Sequence, residues 1–266
     1  MKQNTLIWAA SGFVAGALLT RWQLSRWFTE EPDHEVEQQA GSIEIRQYAR
    51  HIRAETTVYA DSWEKALDEG FRRLANYIYG GNHRRQLAAL GEVSIDAVAP
   101  SRKGERIPMT TPVTARLEKP STPPPPLTLD SAETEVQGDE LTAYTVSFTM
   151  PKSRAPRTLP VPEDRRVHLR AVPSRRVAVL RYRGRHSYEQ VQEKSRYLQE
   201  VLARAGLATR GEPEFAGYDA PSTVPWLRRN EVWIELGPGP QRRSLDAVAT
   251  GQRAATDAER LVESEA

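Results

Sequence analysis

Few residues of this 266-residue chain have the types and spacing that catalysis or metal binding requires. Its five histidines, His34, His51, His83, His168 and His186, show no HxH, HxxxH or HExxH spacing, so no preformed metal site is predicted. Cysteine is absent, which excludes disulfides, thiolate metal sites and a cysteine nucleophile. No GxSxG, Walker or dinucleotide-binding glycine motif occurs. These observations favour a binding protein over an enzyme.

The most charge-biased stretch of the chain, residues 152–185, holds 11 lysines and arginines against two acids. Near its end, Arg181, Arg183 and Arg185 fall on one face of a predicted strand, because alternate residues of a strand share a face. Such arginines can pair with the carboxylates of a ligand or with anionic lipid headgroups. Arg181 and Arg183 are therefore candidate carboxylate partners, with an ordinary solvent-exposed strand face as the alternative.

The overall charge argues against a nucleic-acid partner. The chain has 37 lysines and arginines against 35 acids, a net charge of only +2, which is too weak a field to attract a phosphate backbone. With 39% hydrophobic residues, the chain can bury a real core. Its length suits one large domain or two small ones.

Two amphipathic helices are predicted from apolar residues that recur at helical spacing. The first begins at Asp61, with Glu64 placed to complete a capping box, and ends at Gly80. The second begins at Ser187 and ends at Gly206. Alternating or β-branched segments predict strands before and after each helix, at 43–48, 52–59, 112–118, 141–150, 167–172, 176–183 and 230–236.

The order of these elements indicates an internal duplication, because two strands, a helix and further strands occur twice. Short turns between neighbouring strands favour antiparallel pairing. The sequence therefore predicts an α+β fold in which one curved sheet or barrel carries two helices. The folded unit is predicted to span residues 33–236.

Both ends of the chain differ from this unit. Residues 1–29 are predicted to be a transmembrane anchor, because the 18 residues from Gln3 to Thr20 carry no charge and would span about 27 Å as a helix. A cleaved signal segment followed by export is the alternative, since Ala15 and Ala17 fit a small-x-small cleavage pattern. Residues 237–266 have little apolar content and are predicted to be a disordered tail.

Five motifs occur in a fixed order along the folded unit: GFRRLANYIYGGN (70–82), IPMTTPV (107–113), VSFTMP (146–151), AGYDAP (216–221) and RRNEVWIEL (228–236). In this order they resemble the SOUL haem-binding protein family. The resemblance implies a distorted eight-stranded antiparallel β-barrel flanked by two long α-helices and built from two similar halves. Bacterial effector-binding domains of the gyrase-inhibitor type share this architecture.

The resemblance also implies non-covalent binding of haem or a related tetrapyrrole. The expected apolar contacts are Phe71, Leu74, Tyr77 and Ile78 on the first helix, together with Met109, Phe215 and Tyr218. An apolar stripe of this kind can equally be core that faces the sheet. An axial iron ligand, if there is one, is expected at His51 or His186, near the entrances to the two helices, with ordinary surface histidines as the alternative.

Two features depart from the family pattern. Residues 83–106 stand where a short connection is expected, which predicts an additional surface segment. Asp68 and Asn76 occupy positions that hold basic residues, associated with the tetrapyrrole, in mammalian relatives. The resemblance to the fold is unaffected by these differences.

The expected function is therefore tetrapyrrole binding by a membrane-tethered SOUL-type domain that sequesters or transports its ligand without catalysis. One alternative is an effector-sensing or interaction module of the same fold without a tetrapyrrole. A second is a tetrapyrrole-modifying enzyme, for which no catalytic residues can be named.

Overall fold

The computed structural model of the protein describes residues 29–83, 104–118, 141–220 and 223–238. The predicted membrane segment therefore lies outside the described residues, apart from its last residue. Most of the additional segment at 83–106 and nearly all of the predicted tail at 237–266 also lie outside them. Within the described ranges, no helix is both long enough and apolar enough to cross a membrane.

The described residues form eleven strands: β1 His34–Ala40, β2 Ile43–Tyr48, β3 His51–Ala60, β4 Asn82–His83, β5 Val113–Leu117, β6 Thr142–Thr149, β7 Val161–Pro162, β8 Val167–Val172, β9 Arg175–Tyr182, β10 Thr209–Gly217 and β11 Asn230–Leu236. They also form two α-helices, α1 Trp63–Ile78 and α2 Tyr188–Arg204, and a short 3₁₀ helix, Pro225–Leu227. Both predicted helices are confirmed. The first is capped by Ser62 rather than Asp61, because Ser62 is the extended residue that directly precedes the helical backbone.

Nine strands form one sheet in the order β1-β2-β9-β11-β10-β5-β6-β3-β8, and β4 pairs with β7 separately. All of these strand pairs are antiparallel, so the α+β class is confirmed. The expected distorted eight-stranded barrel is not found, because the sheet has nine strands and does not close: β1 takes the outer edge of β2, and β8 ends the sheet on the far side. Strand β1 was not predicted, since Val36 and Ala40 are its only apolar residues and no alternation marks it.

The two helices occupy equivalent places in the chain order. Strand β3, helix α1 and strands β5 and β6 follow one another as β9, α2, β10 and β11 do. In the sheet, β3-β6-β5 and β9-β11-β10 are paired in the same order, and the two sets meet where β5 pairs with β10. The prediction that the chain consists of two similar halves stays a prediction.

Both helices pack on the same face of the sheet, α1 over β3 and β6, and α2 over β9, β10 and β11. The core beneath α1 includes Trp63, Leu74, Tyr77, Val146 and Phe148, and the core beneath α2 includes Ile45, Ala178, Leu198, Leu202 and Ile234. Gly70 brings α1 unusually close to β6, because a Cβ at this position would lie 2.5 Å from Cγ2 of Val146. The helix-covered face is therefore a continuous apolar layer.

Candidate functional site

The face of the sheet that the helices do not cover carries ionised side chains, and we call it the charged face. Its buried charged residues are Glu44, Arg46, Arg53, Glu214 and Glu231. Strands β3 and β10 are separated by β6 and β5, yet Arg53 on β3 forms an ion pair with Glu214 on β10. Since neighbouring strands lie about 4.8 Å apart, this contact requires the sheet to curl over its charged face. The curl buries these residues without a covering helix.

Arg46 and Glu231 form a fully buried ion pair on this face. The two Nη atoms of Arg46 donate to the two carboxylate oxygens of Glu231 at 3.0 and 3.1 Å. Arg46 Nε donates to Glu44 at 2.7 Å, and Trp233 Nε1 donates to Glu231 at 2.8 Å. Burial would raise the pKa of Glu231, but hydrogen bonding and the charge of Arg46 outweigh it and lower the pKa to about 2. Glu231 is therefore ionised throughout the physiological range.

Two tyrosines and a second arginine extend this network toward the surface. Tyr218 donates its hydroxyl to Glu231 at 2.8 Å, and the Arg229 guanidinium lies 3.7 Å from the centre of the Tyr218 ring. Arg229 also donates to Glu231 at 2.9 Å. Burial raises the pKa of Tyr48, which accepts from Arg46, to about 12. Both the ionic and the aromatic contacts hold Arg229 in place where the network meets solvent.

Arg229 belongs to a surface groove of about 490 Å³ that we call the arginine groove. Its lining residues are Gln39, Gly41, Ser42, Glu44, Arg181, Tyr182, Arg183, Leu227, Arg228 and Arg229. The groove thus holds four arginines and one acid, Glu44. Arg183 is exposed and forms no ion pair with any of the described residues. Arg181 and Arg229 are already in ion pairs with Glu44, Glu231 and Glu31, so Arg183 is the arginine of the groove best placed to meet the carboxylate of a ligand.

Both candidate carboxylate partners from the sequence, Arg181 and Arg183, line this groove. The predicted strand face is also correct for Arg181, which shares the charged face with Glu231 and lies 3.5 Å from its carboxylate. Arg183 follows the last residue of β9 and reaches the groove from the connection to α2. An exposed aromatic residue, Trp226, precedes Leu227 of the groove wall and is 68% exposed.

The predicted apolar contacts lie in two separate places. Phe71, Leu74, Tyr77, Ile78, Met109 and Phe215 all belong to the core beneath α1, where Leu74, Tyr77, Ile78 and Phe215 are buried. Tyr218 instead packs on the charged face. Phe71 and Met109 keep some exposed surface, and Phe71 packs edge-on against Phe148 at 5.4 Å. The structure therefore gives the buried members a core role, and their contact with a ligand stays a prediction.

His186 is a partly buried residue behind the arginine groove. Arg228 Nη1 lies 3.2 Å from Nδ1 of His186, and the imidazole stacks on Phe215 with 5.6 Å between ring centres. Burial, followed by the charge of Arg228, lowers the pKa of His186. Because a guanidinium only donates, Nδ1 accepts this bond and the proton of the neutral ring sits on Nε2. In this arrangement Nε2 offers no lone pair to an iron.

His51 has the opposite tautomer. Its Nδ1 lies 2.8 Å from the Ala49 carbonyl oxygen, which only accepts, so the lone pair is on Nε2. That Nε2 is buried, has no partner among the described residues, and belongs to the part of the charged face that holds Arg53 and Arg175. His51 and His186 therefore lie in different parts of the fold, and neither presents a ligating nitrogen to the arginine groove.

The outer surface of α1 carries no free row of cations. Arg72 pairs with Asp68 at 2.9 Å and Arg73 pairs with Glu69 at 2.8 Å, each with i,i+4 spacing. Asp68, one of the two departures from the family pattern, therefore neutralises a neighbouring arginine. This arrangement favours the arginine groove over α1 as the place where a ligand carboxylate binds.

Sequence reasoning missed the charged face. Arg46, Glu231 and Glu214 alternate with apolar residues in their strands, a pattern that predicts a solvent-exposed face. The available signal was the presence of Tyr48 and Trp233 among those charges, since large aromatics are seldom left on an exposed strand face. Among the described residues, no group of three or more histidines and acids is placed to hold a metal ion.

The buried ionisable groups predict that stability falls in mild acid. Burial lowers the pKa of His51 to about 4 from 6.5, with the charges of Arg53 and Arg175 acting in the same direction. The unfolded chain therefore takes up a proton on His51 at a higher pH than the folded protein does. His51 favours folding above pH 6.5 and loses this contribution, about 2 to 3 kcal/mol, as pH falls toward 4. Glu231 adds a further loss of folding stability below pH 4.5, because its pKa in the folded protein is lowered to about 2.

Urea denaturation at several pH values between 7 and 4 measures this effect. In the His51→Gln variant the slope of stability against pH should be smaller between pH 6.5 and 4. The exposed His168 provides the matched control, because His168→Gln should keep the slope of the wild type. A wild-type stability that does not change between pH 7 and 5 would contradict the prediction.

Comparison with known proteins shows the family to which the chain belongs. Residues 29–235 match the family described as SOUL heme-binding protein. The match covers most of the chain, so the protein belongs to the SOUL heme-binding protein family. A curated relative, heme-binding protein 2 from Mus musculus, is 26% identical over 201 residues, which are 75% of this chain and 80% of the relative.

Two solved structures are similar at lower sequence identity. A hydrolase from Listeria innocua matches with a TM-score of 0.43 and 10% identity over 76% of this chain and 94% of its own. The C-terminal domain of EcmrR matches with a TM-score of 0.43 and 7% identity over 74% of this chain and 98% of its own.

Proposed function

We propose that the protein binds haem or a related tetrapyrrole non-covalently at the arginine groove, in order to sequester or transport it. The observation that carries the proposal is the groove itself, which holds four arginines within about 490 Å³. A tetrapyrrole is a flat apolar ring with carboxylate side chains. Arg181 and Arg183 can pair with these carboxylates, and Trp226 offers the ring an exposed aromatic surface beside the groove.

The orientation of the two candidate histidines also indicates how a haem iron would be held. The lone pair of His186 faces Arg228, and the lone pair of His51 lies buried in another part of the charged face. The residues present therefore fit the carboxylates and the ring of a tetrapyrrole better than they fit an iron. We propose that binding uses carboxylate pairing and ring packing, with no axial ligand from His51 or His186. Family membership supports the ligand class, and the groove supports the place.

Titration of the purified protein with haem and with metal-free protoporphyrin IX tests both proposals, binding at the arginine groove and binding without an axial histidine ligand. Wild-type protein should bind one equivalent of each, with dissociation constants within about threefold, because the iron contributes little. Arg183→Glu should weaken the binding of haem and of protoporphyrin IX by about tenfold, since it replaces attraction of a carboxylate by repulsion. Soret absorbance and quenching of tryptophan fluorescence report the binding.

Arg185→Glu is the matched control, because Arg185 is exposed on the same connection but does not line the groove. The affinity of the Arg185→Glu variant for both ligands should stay within twofold of that of the wild type. Haem binding that is lost in His186→Ala while protoporphyrin binding persists would show axial ligation and contradict the second proposal. No saturable binding of either ligand would favour the effector-sensing or interaction module, and conversion of the haem to a product would favour an enzyme.

We further propose that residues 1–29 tether this domain to a membrane, on the basis of their sequence alone. An uncharged segment of 18 residues inserts as a helix, whereas a basic surface patch binds membranes through charge. The full-length protein should therefore stay in the membrane fraction after carbonate washing, and a chain that lacks residues 1–29 should be released. Recovery of a mature protein that begins at Leu18 would instead establish cleavage and export.

A further inference from the structure

Two exposed segments of the chain meet at the outer end of the arginine groove, and we call the surface that they form the tip surface. It consists of the exposed residues Arg183, Arg185, Val224 and Trp226. The backbone N–H of Gly184 donates to the carbonyl oxygen of Pro225 at 3.1 Å. This hydrogen bond joins the connection that follows β9 to the 3₁₀ helix, so the two arginines and the two apolar residues belong to one surface.

The apolar part of the tip surface is held in place by the backbone around it. Leu227 N–H donates to the Val224 carbonyl oxygen at 3.0 Å, and Arg228 Nε donates to the Thr223 carbonyl oxygen at 2.7 Å. Val224 and Trp226 are nevertheless 40% and 68% exposed, and Trp226 is the most exposed large apolar side chain among the described residues. Tryptophan is enriched at membrane surfaces, because its ring is apolar while its N–H can still form hydrogen bonds among the headgroups.

The charged part of the tip surface lacks counter-charges. Arg183 and Arg185 are exposed, and neither forms an ion pair with a described residue. No acid occurs in residues 182–188 or 223–229, the two segments that meet at this surface. The arginines on the outer surface of α1, by contrast, are paired with acids of the same helix. Free cations beside exposed apolar side chains complement a bilayer, which is anionic at its surface and apolar below it.

The tip surface also lies near the place where the chain enters the domain. Glu31, two residues after the proposed tether, forms an ion pair with Arg229 at 2.9 Å. Arg229 follows Trp226 by three residues and lines the arginine groove. A tether at this place holds the tip surface close to the bilayer, where weak contacts become effective because the local concentration of lipid is high. This step rests on the proposed tether, whereas the composition of the tip surface does not.

We propose that the tip surface docks on a bilayer that contains anionic lipids. Val224 and Trp226 enter the headgroup region, and Arg183 and Arg185 pair with the phosphates of the lipids. Two apolar side chains and two arginines bind weakly, so docking orients the domain and does not replace the tether. The proposal goes beyond tetrapyrrole binding and does not require it. Docking would turn the arginine groove toward the bilayer, because Arg183 belongs to both surfaces.

Site-specific fluorescence tests the proposal, because a chain without cysteine can be labelled at one introduced cysteine. Full-length Val224→Cys is labelled with the environment-sensitive fluorophore NBD and mixed with an excess of vesicles, without haem. The vesicles contain phosphatidylcholine alone or phosphatidylcholine with about 30% phosphatidylglycerol, which supplies the negative charge. In the anionic vesicles we expect NBD emission to rise about twofold and to be quenched by nitroxide-labelled lipids, because the label enters the headgroup region. Both changes should be small in phosphatidylcholine.

Tyr79→Cys is the control for the position of the label, since Tyr79 is 58% exposed but directly follows the last residue of α1. The other end of α1 is next to the tip surface, because Trp63 Nε1 donates to the carbonyl oxygen of His186 at 3.1 Å. The 16 residues of the helix place Tyr79 about 24 Å from that end. NBD at this position should not respond to the lipid composition.

Two substitutions in the labelled Val224→Cys protein test the aromatic ring and the charge. Trp226→Ala and Arg185→Glu should each reduce the rise in emission by about half or more. Arg157→Glu is the matched charge control, because Arg157 is exposed and its segment contacts the far end of α1, where Tyr77 donates to the Pro160 carbonyl oxygen at 3.0 Å. This variant should keep the full rise in emission.

Equal NBD signals in the two kinds of vesicle, or a rise that neither Trp226→Ala nor Arg185→Glu reduces, would overturn the proposal. Failure of the proposed tether would be visible separately, as release of the protein by carbonate. Docking of the tip surface would still be measured in that case, because the label reports contact with vesicles in excess. Failure of tetrapyrrole binding would not affect the result, since no haem is present.

Discussion

Replacement of Glu231 by alanine is expected to lower the free energy of unfolding by about 3 to 5 kcal/mol. The side chain of Arg46 is fully buried, and Glu231 neutralises it through two hydrogen bonds. Removal of the carboxylate would leave this buried guanidinium without its main counter-charge. The variant would also deprive the Trp233 indole and the Tyr218 hydroxyl of their acceptor. Urea denaturation at pH 7 measures the loss.

A double substitution separates the ion pair from simple loss of packing. Arg46→Met combined with Glu231→Leu should cost less than Glu231→Ala alone, because the double variant removes the buried guanidinium together with its main counter-charge. Glu235→Ala provides a control on the same strand, since Glu235 is partly exposed and should cost under about 1 kcal/mol. If Glu231→Ala costs no more than Glu235→Ala, the buried pair is not what stabilises this face.

Trp233→Ala is expected to cost about 3 to 5 kcal/mol, by loss of burial and by the cavity that remains. Trp233 lies on β11 in the middle of the sheet and is 2% exposed. Its ring packs against Tyr48 at 4.9 Å between centres, and the Arg53 guanidinium lies 5.9 Å from the ring centre. The substitution therefore removes contacts to both parts of the charged face.

Trp226→Ala is the matched control for this prediction, because it removes the same side chain from an exposed position. It should change stability by less than about 0.5 kcal/mol. Trp233→Phe keeps an aromatic ring and loses the indole N–H, so it should cost an intermediate amount of about 1 to 2 kcal/mol. A loss below about 1 kcal/mol for Trp233→Ala in chemical denaturation would contradict the burial that the structure assigns to this residue.

Both helices and most of the longer strands could be predicted from local sequence, because each of these is marked by a local pattern. Helices α1 and α2 follow from apolar residues at helical spacing, and strands such as β2 and β9 follow from alternation. Arg181 on β9 and Arg183 just after it were likewise recognised from charge and alternation alone. Strand β1 carries no such pattern, because it lies at an edge of the sheet and most of its side chains are at least partly exposed.

Residues that meet across the sheet could not be predicted in the same way. Arg46 and Glu231 lie 185 residues apart, and Arg53 and Glu214 lie 161 apart, so nothing local connects them. Their strands alternate charged and apolar residues, which is also the pattern of a strand with one face in solvent. Burial of that face depends on the curl of the sheet, which arises from how all nine strands pair.

The sequence by itself therefore determined the α+β class, the helices, most of the strands and the family, because these depend on periodicity and on ordered motifs. Only the tertiary structure decided that the sheet is open, that the predicted apolar stripe on α1 is largely core, and that Arg181 and Arg183 meet Arg228 and Arg229 in one groove. The physical reason is that side chains distant in the chain become neighbours only through strand order and curvature. A pattern within one strand does not encode either of these.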